Sequence, residues 1–163
     1  MASTTKTNET CDYSNNGTAT AVSGGGSPGY TYLWQPGLQT SNIITGLSAG
    51  TYTLTVTDSK GCTSTANAII SQPAPIVISF ISQTNVSCFG GNDGSVTASP
   101  SGGTAGYTFL WMPGSTSTAA KTNLVAGTYT VTVTDAAGCT SINSVVITQP
   151  ALLLASTSKT DET

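Results

Sequence analysis

The chain has 163 residues, of which 7% are charged, with four lysines, no arginine, no histidine and a formal net charge of −3. That balance offers no basic surface for nucleic acid or anionic lipid, and without histidine the usual general base and nucleophilic triads are missing. Abundant Gly, Ser and Thr, with no sustained 3.6-residue periodicity, point instead to an all-β, non-enzymatic protein.

In chain order, Cys11 is followed by the turn sequence Asn15-Asn16-Gly17, which fits a type I′ hairpin. Tyr30, Tyr32 and Trp34 share one face of a short strand. The stretch Ala49–Cys62, AGTYTLTVTDSKGC, alternates Tyr52, Leu54 and Val56 with Thr51, Thr53, Thr55 and Thr57. This is the period-2 pattern of a strand with one face buried and one in water. Gln72-Pro73 closes the unit, since proline cannot donate to a ladder. An extended segment over Ile76–Asn85 comes next, then the Asn92-Asp93-Gly94 turn, a strand over Ser95–Ser99 and a Gly102-Gly103 loop. Further strands are predicted at Tyr107–Trp111, Ala120–Val125, Thr128–Thr134 and Thr140–Thr148, with a loop or weak edge at Ser115–Ala120. Leu152–Ala155 is the densest apolar run and far too short to span a membrane. The start lacks the regions of a signal peptide, so an export signal is expected outside this sequence.

Two halves of this list are the same unit. Cys11, Tyr30, Trp34 and Cys62 recur as Cys88, Tyr107, Trp111 and Cys139, each 77 residues later, and 32 of 63 positions agree without a gap between 11–73 and 88–150. Duplication is the reading. SKTDET at 158–163 echoes SQTNVS at 82–87 and TKTNET at 5–10, each of which precedes a cysteine. The organisation expected is a repeat over 1–74, a second over 75–151, and a linker or start of a third over 152–163. Six or seven short strands per repeat suggest a small β-sandwich.

The four cysteines form two pairs, each separated by 51 residues. Equal spacing argues for Cys11–Cys62 and Cys88–Cys139 over the cross-repeat pairings, in an oxidising, extracellular compartment, although reduced thiols fit the same spacing. Asp58 and Asp135 are the only charged positions the repeats share between their cysteines. Each is a candidate calcium ligand, as is Asp93, because hard cations select carboxylate oxygens. The competing reading, a side chain capping a turn ahead of Gly61 or Gly138, is preferred because no second acidic residue recurs nearby. The aromatic stripe is read as core, with Tyr30 and Tyr107 its candidate ligand contacts. The threonine row on the Thr51–Thr57 strand is an ordinary solvated face, or less expectedly an ice- or mineral-binding one. Lys60 and Lys121 do not correspond between the copies, which argues against a shared Lys–Asn crosslink.

Taken together, Cys-x5-Gly, GGxxGYTxLWxPG, LxAGTYTxTVTDxxGC and a closing Gln-Pro resemble the SprB repeat, over 11–73 and 88–150. The first copy departs at CDYSNNG, where the second reads CFGGNDG. The resemblance implies a module of large surface adhesins of gliding Bacteroidota, exported by the type IX pathway, with an immunoglobulin-like or PKD-like fold. The expectation is therefore a structural stalk segment, with a polysaccharide- or surface-binding module as the alternative. The partners expected are neighbouring repeats, polysaccharide or a cell surface. Because the first repeat looks short of a lead-in strand, the 152–163 tail of one molecule is also expected to complete another head to tail.

Overall fold

The computed structural model describes residues 1–157, and these contain twelve β-strands and no helix. The chain divides into two compact units. The first holds Met1–Pro75 with Gly102–Ala105 and Ala137–Cys139; the second holds Ile76–Ser101, Gly106–Ala136 and, of the described residues, 140–157.

In the first unit the strands are β1 (Ala2–Thr7), β2 (Gly17–Ser23), β3 (Thr31–Gln35), β4 (Ile43–Leu47), β5 (Gly50–Thr57) and β6 (Thr63–Ile70). They form two antiparallel sheets of order β1-β2-β4 and β3-β5-β6. Alternation decides which side chains meet between them. Leu54 and Val56 of β5 are buried with Trp34 of β3, Ala68 and Ile70 of β6, Ala19 and Ala21 of β2, and Ile44 and Leu47 of β4. Tyr52 is half-buried against this core, and its hydroxyl donates to the Ser48 carbonyl (3.2 Å). The intervening Thr53, Thr55 and Thr57 face outward.

The second unit repeats this plan with β7 (Val77–Thr84), β8 (Gly94–Ser101), β9 (Thr108–Met112), β10 (Ala120–Leu124), β11 (Gly127–Thr134) and β12 (Thr140–Ile147). Its sheets are β10-β8-β7 and β12-β11-β9. Tyr129, Val131 and Val133 supply the buried row of β11, packed with Trp111, Val96, Val145 and Ile147. Both tryptophans are fully buried. Each satisfies its indole N–H on a carbonyl of the loop that follows its strand, Ser41 for Trp34 (3.1 Å) and Thr118 for Trp111 (3.0 Å). A buried indole has to find such a partner.

Two expectations change. The first unit does not lack a lead-in strand: β1 pairs with β2 along its length, from Ala2↔Ser23 to Thr7↔Thr18. It escapes notice in the sequence because a Ser/Thr/Lys edge strand is held by main-chain pairing and carries little apolar signal. Thr4 Oγ1 also donates to the Asn67 carbonyl and Lys6 Nζ to that of Ile69. The edge that the 152–163 tail of a second molecule was expected to fill is thus occupied by the chain's own β1, and residues 158–163 lie outside the described residues. Nor do Asn15-Asn16-Gly17 and Asn92-Asp93-Gly94 form type I′ turns. Only Asn15 among these six has positive φ (51°), and the strands are joined by long loops. Gly17 and Gly94 are needed for close approach, since a Cβ on Gly17 would lie 2.7 Å from Ile70 Cγ2 and 2.8 Å from the Leu47 oxygen.

Candidate functional site

The polar residues singled out in the sequence fall at the two ends of each sandwich. At one end of the first unit, the carboxylate of Asp58 accepts three backbone N–H groups. Oδ2 takes that of Ser27 (3.0 Å), and Oδ1 takes those of Lys60 and Cys62 (2.9 Å each). These bonds, Ser27 foremost and then Cys62, hold the Asp58 carboxyl below its ordinary range. Tyr30 stands beside it in the same recess, with Gly24, Gly25, Gly26 and Cys62. Its ring is half-buried against the core and its hydroxyl donates to the Gly25 carbonyl (2.6 Å). Tyr107 is likewise half-buried against the second core, and Asp135 is buried.

Glu9 organises the opposite end of the first unit. Buried despite its charge, it accepts the backbone N–H groups of Ala49 and Asn15 (2.9 Å to Asn15) and the Ser14 hydroxyl (3.3 Å). Asn16 Oδ1 accepts the Thr10 N–H (3.0 Å), and Gln72 Nε2 donates to Asp12 (2.6 Å). In the second unit Asp93 repeats the part of Asn16 by accepting the Ser87 N–H (3.0 Å). Its carboxyl is held low by the hydrogen bonds from Ser87. Asn and Asp interchange here because the loop asks only for an acceptor oxygen. Among the described residues no group of three or more His, Cys, Asp or Glu gathers to hold a metal.

The cysteines correct the spacing argument. Cys11 is bonded to Cys139, with Cα atoms 5.6 Å apart, while Cys62 and Cys88 are exposed free thiols. The reason is strand length. The Glu9–Ala49 contact sets the Cys11 loop at the start of β5, whereas Cys62 follows the Asp58 turn at its end. Eight extended residues put roughly 26 Å between those ends, and a disulfide tolerates a Cα separation of only about 4.4–6.8 Å. In the second copy, Val86 N–H on the Thr148 carbonyl and Gly90 N–H on Gln149 set the Cys88 loop at the end of β12, and Cys139 immediately precedes its start. A bridge within one repeat is geometrically closed in both copies. The two loops lie at opposite ends of the sandwich.

Two residues had no sequence signal as site members. Glu9 holds the place that Val86 fills in the second copy, and Lys121 the place of buried Ile44. Lys121 is buried, donates to Thr116 Oγ1 (2.7 Å) and lies 5.9 Å from the centre of the Tyr129 ring. The 77-residue alignment could have flagged both as charges placed at apolar positions.

Paired three-stranded sheets, a buried tryptophan and Greek-key-like strand exchange between sheets define tandem immunoglobulin-like β-sandwiches. The family model of the SprB repeat matches two stretches of the chain, residues 3–39 and 81–116, one in each copy. The matched stretches run from the first strand to the turn after the tryptophan strand in each copy. They leave out the AGTYT-to-Cys blocks at 49–62 and 126–139. No curated protein sequence matches the chain. Among solved structures, the three N-terminal domains of the bacteriophage RB49 highly immunogenic outer capsid protein superpose with a TM-score of 0.56 at 18% identity, covering 91% of this chain and 59% of that one. The chain thus spans less than two thirds of that structure, and the likeness concerns the fold alone. Extracellular domains 3–5 of Drosophila OTK (TM-score 0.40, 16% identity, 91% of this chain and 56% of that one) and the amphioxus IgVJ-C2 molecule (0.37, 18%, 90% and 97%) overlap less and add nothing to the assignment.

Proposed function

We propose that this chain is a non-enzymatic, extracellular segment of a bacterial surface adhesin, serving as a tandem-repeat stalk. The observation that carries the reading is the double SprB match on two copies of one sandwich. The polar and aromatic residues the repeats share are also spent on folding. Trp34 and Trp111 are core, Tyr30 ties its own loop, and Asp58 caps a turn. A disulfide fits an oxidising compartment, and among the described residues no helix is long and apolar enough to cross a membrane. Attachment to gliding machinery and export by the type IX route follow from the repeat's company in other proteins and form part of the proposal.

A second reading, direct binding to polysaccharide or another surface, draws on the outer face of the β12-β11-β9 sheet. There Leu110, Met112, Ile142 and Val146 are exposed around the threonine row of β11. Binding of the labelled, folded chain to a panel of polysaccharides and cell surfaces, with calcium or with chelator, separates the two. The stalk reading expects no saturable binding. Saturable, competable binding lost in Tyr30→Ala, Tyr107→Ala or Ile142→Ser would overturn it, and binding lost only with chelator would direct attention to Asp58, Asp93 and Asp135.

A further inference from the structure

The disulfide joins unlike positions of successive copies. Cys11 is the loop cysteine of the first repeat and Cys139 the hairpin cysteine of the second. Shifted by 77 residues, the same two positions are Cys88 and Cys62, and these are the two exposed free thiols. Within the described residues one loop cysteine, Cys88, and one hairpin cysteine, Cys62, thus stand as free thiols.

A backbone contact can be shifted by the same 77 residues. Just beyond the last β7–β8 pair, Val77↔Ser101, the Gly103 N–H donates to the Ala74 carbonyl (2.8 Å), from a loop whose glycines hold positive φ (77° and 61° at Gly102 and Gly103). Gly102 lies so close to Pro75 that a Cβ there would sit 2.0 Å from its carbonyl oxygen. The repeat equivalents are Gly25 and Gly26, both at φ 72°, and Ala151 and Leu152. Gly25 and Gly26 line the recess that contains Cys62, and Ala151 and Leu152 line the one that contains Cys88. Gly25, Gly26, Ala151 and Leu152 are all exposed, and the two glycines hold the positive φ of their counterparts.

From this we infer that Cys88 of one molecule bonds Cys62 of a second copy, with Gly26 of the second set against Ala151 of the first. Such a pairing uses two different patches and does not close on itself, so it extends into an open chain of molecules. The same bond between neighbours would fasten every junction of a longer array. The chemistry is thiol–disulfide exchange with a small-molecule disulfide as oxidant. The Cys88 thiolate attacks one sulfur of oxidised glutathione, forming a mixed disulfide and expelling one glutathione thiolate. The Cys62 thiolate of the second copy then attacks the Cys88 sulfur and expels the other. Two cysteine thiols are oxidised, one glutathione disulfide is reduced to two thiols, and the two protons lost by the cysteines pass to the leaving thiolates. The inference is independent of what the protein adheres to.

The test uses the full chain with its Cys11–Cys139 bond intact, exposed to oxidised glutathione and resolved on a non-reducing gel. Wild type should give a ladder of oligomers that collapses on reduction. An equal mixture of heavy- and light-isotope chains should yield Cys62–Cys88 peptides that join heavy to light. Cys62→Ser and Cys88→Ser should each lose the ladder. Isotope-labelled Cys62→Ser mixed with unlabelled Cys88→Ser should give a dimer that outnumbers either same-variant dimer. Both thiols are exposed, so circular dichroism should show the variants folded. Three results would overturn the inference: monomers carrying glutathione on both cysteines, a Cys62–Cys88 bond within one chain, or same-variant dimers as abundant as the mixed one.

Discussion

The carboxylate of Glu9 accepts the backbone N–H of Ala49, forty residues further along the chain, at the point where β5 begins. It also takes the Asn15 N–H, so one buried side chain fixes both the loop before β2 and the entry to the central strand. Removing the acceptor strands buried donors, which costs about 1–3 kcal/mol for each group left unpaired. Glu9→Ala should therefore destabilise the first unit, and Glu9→Gln, which retains one acceptor oxygen, should do so less. Urea unfolding followed by Trp34 emission in a Trp111→Phe background reports on that unit alone.

Asp58 makes the first unit acid-sensitive in a defined direction. Its three backbone donors favour the carboxylate, so its folded pKa lies below the unfolded value. The stabilisation is fully present above the unfolded pKa, about 3.9, and is lost as pH falls through the lower folded value. Melting temperatures of wild type should drop below about pH 4, and Asp58→Asn should flatten that drop. An unchanged pH profile in Asp58→Asn would remove this carboxylate from the acid response.

Gly17 and Gly94 should resist substitution for a steric reason. On Gly94 a Cβ would meet the Leu124 oxygen at 2.8 Å and Ile147 Cγ2 at 2.9 Å, repeating the crowding around Gly17. Overpacking of this sort costs about 1–3 kcal/mol. Gly17→Ala and Gly94→Ala should each lower the denaturation midpoint of their own unit, whereas Gly127→Ala, with open space around it, should not suffer this clash.

Lys121 can be returned to the residue its copy uses. Replacing a buried charge with an apolar side chain of similar volume is often neutral or stabilising, and Ile44 shows that the site accepts isoleucine. Lys121→Ile should match or exceed wild type in urea. Lys121→Ala, which leaves a void over the Tyr129 ring, should fall below it.

The strands carrying apolar alternation were legible at once: β5 and β11 lie where Tyr52, Leu54, Val56 and their counterparts place them. β1 was not, because Ser3, Thr4, Thr5 and Lys6 are held by main-chain pairing to β2 and by side-chain bonds to β6. Asp58 could be read as a turn cap because its donors lie largely within the next few residues. Glu9 could not be read from its neighbours, since its partner at Ala49 is remote, and only the buried Val86 at its place in the second copy marks the position as apolar.

The sequence by itself determined the duplication, the all-β class and the inward rows of each sandwich, since these follow from periodicity along a strand and similarity at a fixed offset. Only the tertiary structure decided the cysteine pairing. Equal spacing measures distance along the chain, but bond formation depends on distance in space. An extended strand of eight residues carries the loop and hairpin cysteines of one repeat to opposite ends of its sandwich, beyond the reach of a disulfide, and Cys11 bonds Cys139 instead.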